Sequence, residues 1–195
     1  LRRALLSSRE GAAITSVKID GVAHAFTSIE GAHEAVTHIV LNLKRVLMSV
    51  TTRKTFECSL KVKGPCDVTA GMITVGSGIE ILNPDHVICT ITEKKTLKME
   101  FTAAVGRGYR PAEMNKEASQ TIGVIPIDSL FSPVCKVKYE VEAARVGMKT
   151  DYDRLVLEVW TDGRIDPVAA TVQSAQMLLD HVQLFRNAGD PQYLE

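Results

Sequence analysis

The chain has 195 residues, enough for one large domain or two small ones, and is 45% hydrophobic and 24% charged, like an ordinary globular protein. Its 23 basic and 23 acidic residues cancel, so it lacks the overall basic excess of a protein that holds nucleic acid by neutralising phosphates. No apolar run reaches the roughly 18 to 20 residues that a membrane-spanning helix needs, and no secretory signal is visible.

Leu1–Ser8 reads as a short helix that Gly11 breaks. At about 100° per residue, Leu1, Ala4, Leu5 and Ser8 share one face, and Leu6 lies opposite, flanked by Arg2 and Arg3. A leucine framed by arginines on an outward face suits a protein contact, and an equal reading makes Leu6 core with solvated arginines. Ile14–Ile19 and Val22–Phe26 read as a hairpin about the Asp20-Gly21 turn. After Gly31 the period lengthens, and Val36, Ile39, Val40, Leu43 and Leu47 fit one helical stripe, with Lys44 and Arg45 at its C-terminal end.

Residues 50–105 read as mostly β. Phe56, Cys58, Leu60 and Val62 alternate up to a Gly64-Pro65 turn, and short strands cover Ile79–Leu82 and Val87–Ile91 on either side of Asn83-Pro84. Leu97, Met99, Phe101, Ala103 and Val105 alternate without a fault. Residues 106–120 read as one long polar loop, and Ile122–Ile127 returns to an apolar run that Ser132-Pro133 ends. Val137, Tyr139, Val141 and Ala143 then form the dry face of a strand, a polar GMKTDYD loop follows, and LVLEVW is apolar enough to be central in a sheet. Asp166 and Pro167 suit the N-cap and first position of a helix whose main stripe is Val172, Ala175, Leu179, Val182 and Phe185. Ala170, Met177 and Leu184 give it a second apolar side, which calls for a partner.

Chemistry-bearing motifs are sparse. Cys58, Cys66, Cys89 and Cys135 lie too far apart for zinc-type pairs and read as reduced thiols of a cytosolic protein. His33 and His38 are five apart where a zinc-protease helix needs four, so their rings diverge; His24, His86 and His181 stand alone. Gly76-Ser77-Gly78 and Gly106-Arg107-Gly108 are incomplete dinucleotide fingerprints, and neither a phosphate loop nor a nucleophile elbow is present. Asp151 and Asp153 read as a solvated loop rather than a magnesium pair. The expectation is a scaffold with no catalytic residues, no metal and no cofactor. Its rivals are a small-molecule enzyme using the 106–120 loop as a lid, and a stand-alone nucleic-acid module.

Seven runs carry something more specific: LRRALLSS, IDGVAHAFTSIEGAHEAVTHIVLNLK, NPDHVIC, GRGYRPA, IGVIPIDSLFSPV, VEAARVG and KTDYDRLVLEVWTDGRIDP. In this order, over nearly the whole chain, they resemble the N-terminal domain of the alpha subunit of bacterial (or plastid) DNA-directed RNA polymerase. The resemblance implies an α+β fold in which a dimerisation subdomain (residues 1–10 and 133–195, antiparallel sheet plus long helices) is interrupted by a β-rich mixed insert (residues 11–132). It implies a non-catalytic assembly scaffold that homodimerises and recruits the beta and beta-prime subunits of a nucleotidyltransferase complex, in the bacterial cytoplasm or, alternatively, the plastid stroma. Arg3, Leu6, Lys44 and Ile127 fall where the family contacts beta, and the segments 129–139 and 149–164 where it meets beta-prime. Leu1, Leu5, Met177 and Leu184 are expected at the dimer interface. The family's first strand would precede Leu1 and its DNA-binding C-terminal domain would follow Glu195, so direct DNA binding is not expected of this stretch.

Overall fold

The computed structural model describes residues 1–22, 24–50, 55–116, 123–147 and 149–186. The elements run α1 (Arg2–Ser7), β1 (Glu10–Ile19), α2 (Val36–Leu43), β2 (Met48–Val50), β3 (Phe56–Lys63), β4 (Cys66–Thr69), β5 (Ile79–Ile81), β6 (Val87–Ile91), β7 (Thr96–Arg107), β8 (Tyr109–Arg110), α3 (Ala112–Asn115), β9 (Val124–Pro126), β10 (Ser129–Leu130), β11 (Val134–Val146), β12 (Lys149–Thr161) and α4 (Pro167–Arg186). The architecture is α+β with strands dominant. It divides into two compact units, residues 1–9 with the chain from Ser132 onward, and Glu10–Phe131.

The larger unit is built on a sheet ordered β3-β7-β1-β2-β5, with β9 also on β1. The unbroken alternation of β7 explains its central place: Leu97, Met99, Phe101 and Ala103 are buried, while Lys98 and Glu100 face solvent. β1 is the correction to the expected hairpin. Gly21 turns the chain at φ +80°, but Val22–Phe26 forms no described strand, and Phe26 is 93% exposed. β1 pairs instead with β7, from Glu10↔Arg107 to Ile19↔Met99. The distant strand wins because it offers a full-length partner whose buried face matches that of β1. A bulge between Ile14 and Ser16 divides the other edge of β1, which pairs with β2 at Ala12 and with β9 from Ser16 to Lys18. Gly11 lies inside β1, and α1 ends earlier, at Ser7.

Val36, Ile39 and Leu43 bury one face of α2 against this sheet's core; Leu47 lies beyond the helix end. Side-chain amides hold that end. Asn83 Oδ1 accepts from the Leu47 amide at 2.8 Å, and its Nδ2 donates to the Arg45 carbonyl at 2.9 Å. Asn42 Nδ2 donates to the Ile88 carbonyl and His86 Nε2 donates to the Asn42 carbonyl, both at 2.9 Å. The NPDHV run is therefore a clamp on the last turn of α2. Asn83→Ala leaves the part-buried Leu47 amide unpaired and hands the exposed Arg45 carbonyl to water, and is expected to lower stability by about 1–3 kcal/mol. Urea unfolding of the variant checks this, and an unchanged midpoint would show that water replaces both bonds.

Residues 106–120 are not a single loop. β7 runs on to Arg107, β8 pairs with β10 through Tyr109↔Leu130 and Arg110↔Ser129, and α3 follows. The rest of the proposed lid, residues 117–120, and Ile122 of the apolar run lie outside the described residues.

In the smaller unit, β11 and β12 form a two-stranded antiparallel hairpin turning at Gly147 (φ +65°). The expected GMKTDYD loop is mostly strand, and Asp153 pairs opposite Ala143; the side chain of Asp151 lies outside the described set. The N-cap expectation is met, since Asp166 Oδ2 accepts from the Ala169 amide at 3.0 Å. The core is small: Leu5, Val134, Val137 and Ala170, with Leu6, Leu157, Val159 and Ile165 beside them.

Two packing expectations are overturned here. Tyr139 and Val141 of the supposedly dry strand face are exposed, and so is Leu155 in LVLEVW, which occupies an open two-stranded ribbon and no central position. On α4 the faces are reversed. Ala170 and Ser174 are fully buried, whereas Val172, Leu179, Val182 and Phe185 of the main stripe are all more than 60% exposed. A dry stripe reports that something covers it, and no element among the described residues does.

Candidate functional site

Each unit presents a separate set of candidate residues. In the smaller unit, α1, the hairpin and α4 enclose a groove of about 930 Å³. Leu1 at the N-cap of α1 and Arg3 and Leu6 within it line one side, Tyr139, Leu155 and Leu157 line it from the hairpin, and Met177 and His181 from α4. Leu1 and Leu6, expected on opposite sides of the helix, thus open onto the same groove. Arg3 is exposed, Leu6 and Met177 are half-buried, and Leu184 is 63% exposed. Leu5 has no accessible surface, so it can support a dimer face only from beneath.

In the larger unit, Lys44 caps the end of α2 and forms a 2.5 Å ion pair with Asp128. Tyr109 Oη donates to the same carboxylate at 3.2 Å. Partial burial works against the Asp128 charge, but the hydrogen bond and charge of Lys44, with backbone and Tyr109 donors, outweigh it and hold the carboxyl below its usual range. Local desolvation of the otherwise exposed phenol, then the Asp128 charge and hydrogen bond, pushes Tyr109 up. Beside this network, Arg110 stacks over the Phe131 ring at 5.2 Å, and Tyr109, Met114 and Leu130 are exposed.

Ile127, expected at a partner surface, is 1% exposed. Its amide donates to the Thr15 carbonyl at 2.8 Å and its own carbonyl accepts from Asn115 Nδ2 at 2.6 Å. It is a core residue that fixes the β9–β10 connection, and its neighbours carry whatever surface the segment offers. Sequence reasoning missed Asp128 and Tyr109. Lys44 lies far from both along the chain, and no local spacing signals a pair that only the fold assembles.

Among the described residues no three His, Cys, Asp or Glu side chains gather where a metal ion could bind. His33 precedes α2, exposed, with Nδ1 at 3.9 Å from Glu34 Oε1. No helix among the described residues is long and apolar enough to cross a membrane. Burial pushes the Cys89 thiol up to about 12, helped by the Glu34 charge, and burial also raises Cys58. At neutral pH, thiol labelling of the folded protein should therefore spare Cys58 and Cys89 and modify exposed Cys135. Cys89 titrates at 9.0 when unfolded and about 12 when folded, so the folded state keeps its proton longer. Its contribution to stability is intact below about pH 9 and is lost as pH rises between those values. Cys89→Ala should flatten that alkaline loss, and an identical pH profile would assign it to other groups.

The sequence that folds into this unit has a counterpart among known families: the model of the RNA polymerase Rpb3/RpoA insert domain matches residues 17–132. The chain belongs to that family. The match runs from the second half of β1 to the segment just after β10, so the Lys44–Asp128–Tyr109 network and Ile127 all lie inside the insert domain. Membership gives the chain a subunit role in RNA polymerase, a nucleotidyltransferase complex, and makes other polymerase subunits its partners.

Proposed function

We propose that this chain is a non-catalytic assembly subunit of DNA-directed RNA polymerase, an alpha subunit that pairs with a second copy of itself and then recruits beta and beta-prime. The observation that carries the reading is the outer face of α4. Val168, Val172, Leu179 and Val182, with half-buried Ala175, follow a three-four spacing, and the four larger residues are 61–69% exposed. Such a seam suits interlocking with another helix. On this reading the unit containing α1 and α4 is the dimerisation subdomain and Glu10–Phe131 the insert, working in the bacterial cytoplasm or plastid stroma.

Arg3 and Leu6 are the accessible candidates for beta. Lys44 is the third, acting with Asp128, while Ile127 supports its segment from the core. The segments 129–139 and 149–164 are the candidates for beta-prime. Arg3→Ala is expected to leave the dimer intact and weaken beta recruitment by roughly 30- to 1000-fold, the loss of about 2–4 kcal/mol at an interface centre. Arg3→Lys should restore little, because a guanidinium fork is lost. Co-expression of the full-length variant with beta, reading dimer mass and beta pull-down separately, tests this. Normal beta capture would remove Arg3 from the interface, and a monomeric variant would place it in the dimer contact instead.

A further inference from the structure

The outer face of the insert's main sheet carries an arrangement of charge that folding alone does not explain. Lys61 on β3 lies directly opposite Lys98 on β7, and Lys63 shares their face two residues on, opposite Thr96. All three are exposed, and exposed Lys94 stands in the turn that leads into β7. Like charges directly opposite one another on neighbouring strands are destabilising. Elsewhere in this unit Lys18, Lys44 and Lys95 each hold a carboxylate partner, Glu100, Asp128 and Glu30. Lys61, Lys63, Lys94 and Lys98 have none among the described residues.

The same face continues into a trough of about 980 Å³ beside these lysines. Hydroxyls of Ser16, Ser59, Thr74 and Thr102 line it, along with Lys18, Glu57 and Glu100. We infer that this face is a docking surface for a short acidic segment of a partner polypeptide, whose Asp and Glu side chains sit on Lys61, Lys63 and Lys98 while its following polar residues enter the hydroxyl-lined trough. Charge complementarity selects the lysine end. Glu57 and Glu100 select against a long, uniformly charged polyanion, because a nucleic-acid backbone crossing the face meets carboxylates immediately after the lysines. Nor, among the described residues, does any exposed aromatic side chain on this face offer a base a stacking platform, since Phe101 beside the trough is buried. The surface is independent of the α4 seam.

The test uses the full-length protein and three labelled probes in fluorescence anisotropy: a short Asp/Glu-rich peptide, its Asn/Gln counterpart and a DNA duplex, each at low and physiological salt. The acidic peptide should bind, with affinity falling as salt screens the contacts. The amide counterpart should bind about tenfold or more weakly, the loss of charge-assisted contacts. Lys61→Glu places a carboxylate opposite Lys98, so it should cut peptide binding by about tenfold or more while raising the melting temperature. A merely structural lysine would lower both. Lys98→Gln should weaken binding without that gain. The inference is overturned if the acidic peptide fails to bind, if its amide counterpart binds equally, or if both variants bind like the parent. It is also overturned if the duplex binds more tightly than the peptide and loses that binding in the same variants, because the face then serves nucleic acid.

Discussion

Full-length protein carrying Leu179→Glu together with Val182→Glu is expected to sediment as a monomer where the parent sediments as a dimer. In the single chain the two positions are 61% and 63% exposed, so among the described residues they contribute little packing to their own unit. The substitutions should therefore leave the stability of the monomer almost unchanged, within about half a kcal/mol. If α4 packs on a second copy through its Val168–Val172–Ala175–Leu179–Val182 seam, each glutamate is carried into a dry interface without a partner. Burying an unpaired charge costs several kcal/mol, so dimer affinity should fall by about 100-fold or more. Leu184→Glu, on the flank of that seam, should have a smaller effect. An unchanged dimer in the double variant would move the interface off this face. A variant that unfolds instead would show that α4 leans on contacts the single chain does not make.

Gly64→Ala is expected to be among the most damaging single-atom additions in the insert. A Cβ at Gly64 would lie 2.4 Å from the Glu93 carbonyl oxygen and 2.3 Å from Ile91 Cγ2. The first neighbour is backbone, and the second is a buried side chain at the end of β6. Neither can step aside without moving the turn that carries β6 into β7. The Gly64 amide also donates to the Lys95 carbonyl at 2.9 Å, tying the two chain segments together. Overpacking of this kind costs about 1–3 kcal/mol and occasionally more. Gly76→Ala is the control, because a Cβ there meets nothing within 4 Å. Denaturant unfolding should separate the two variants by about 1–3 kcal/mol. Equal midpoints would mean that the β6–β7 turn relaxes freely.

Much of the local structure was legible in the sequence because its causes are local. The alternation from Leu97 to Val105 specified a strand with one dry face, and the buried Leu97, Met99, Phe101 and Ala103 show that face packed. Asp166-Pro167 marked the start of α4, since a side-chain acceptor and a fixed φ act within a single turn. Seven ordered runs pointed to the alpha-subunit family, and the insert-domain match over residues 17–132 places the chain there.

What the sequence left open is what each dry or charged face meets. Val22–Phe26 follows β1 directly, yet β1 pairs with β7, because strand pairing rewards a long matched register over proximity along the chain. Lys44 finds Asp128 and Tyr109 only after α2 and the β9–β10 turn are brought together, and Ile127 becomes core by the same event. On α4, periodicity announced apolar residues on more than one side but not which side the chain itself would use. The small residues Ala170 and Ser174 allow the close approach that α1 needs, so they turn inward. The larger Val172, Leu179 and Val182 are left outward, because among the described residues the little unit has no further element with which to cover them.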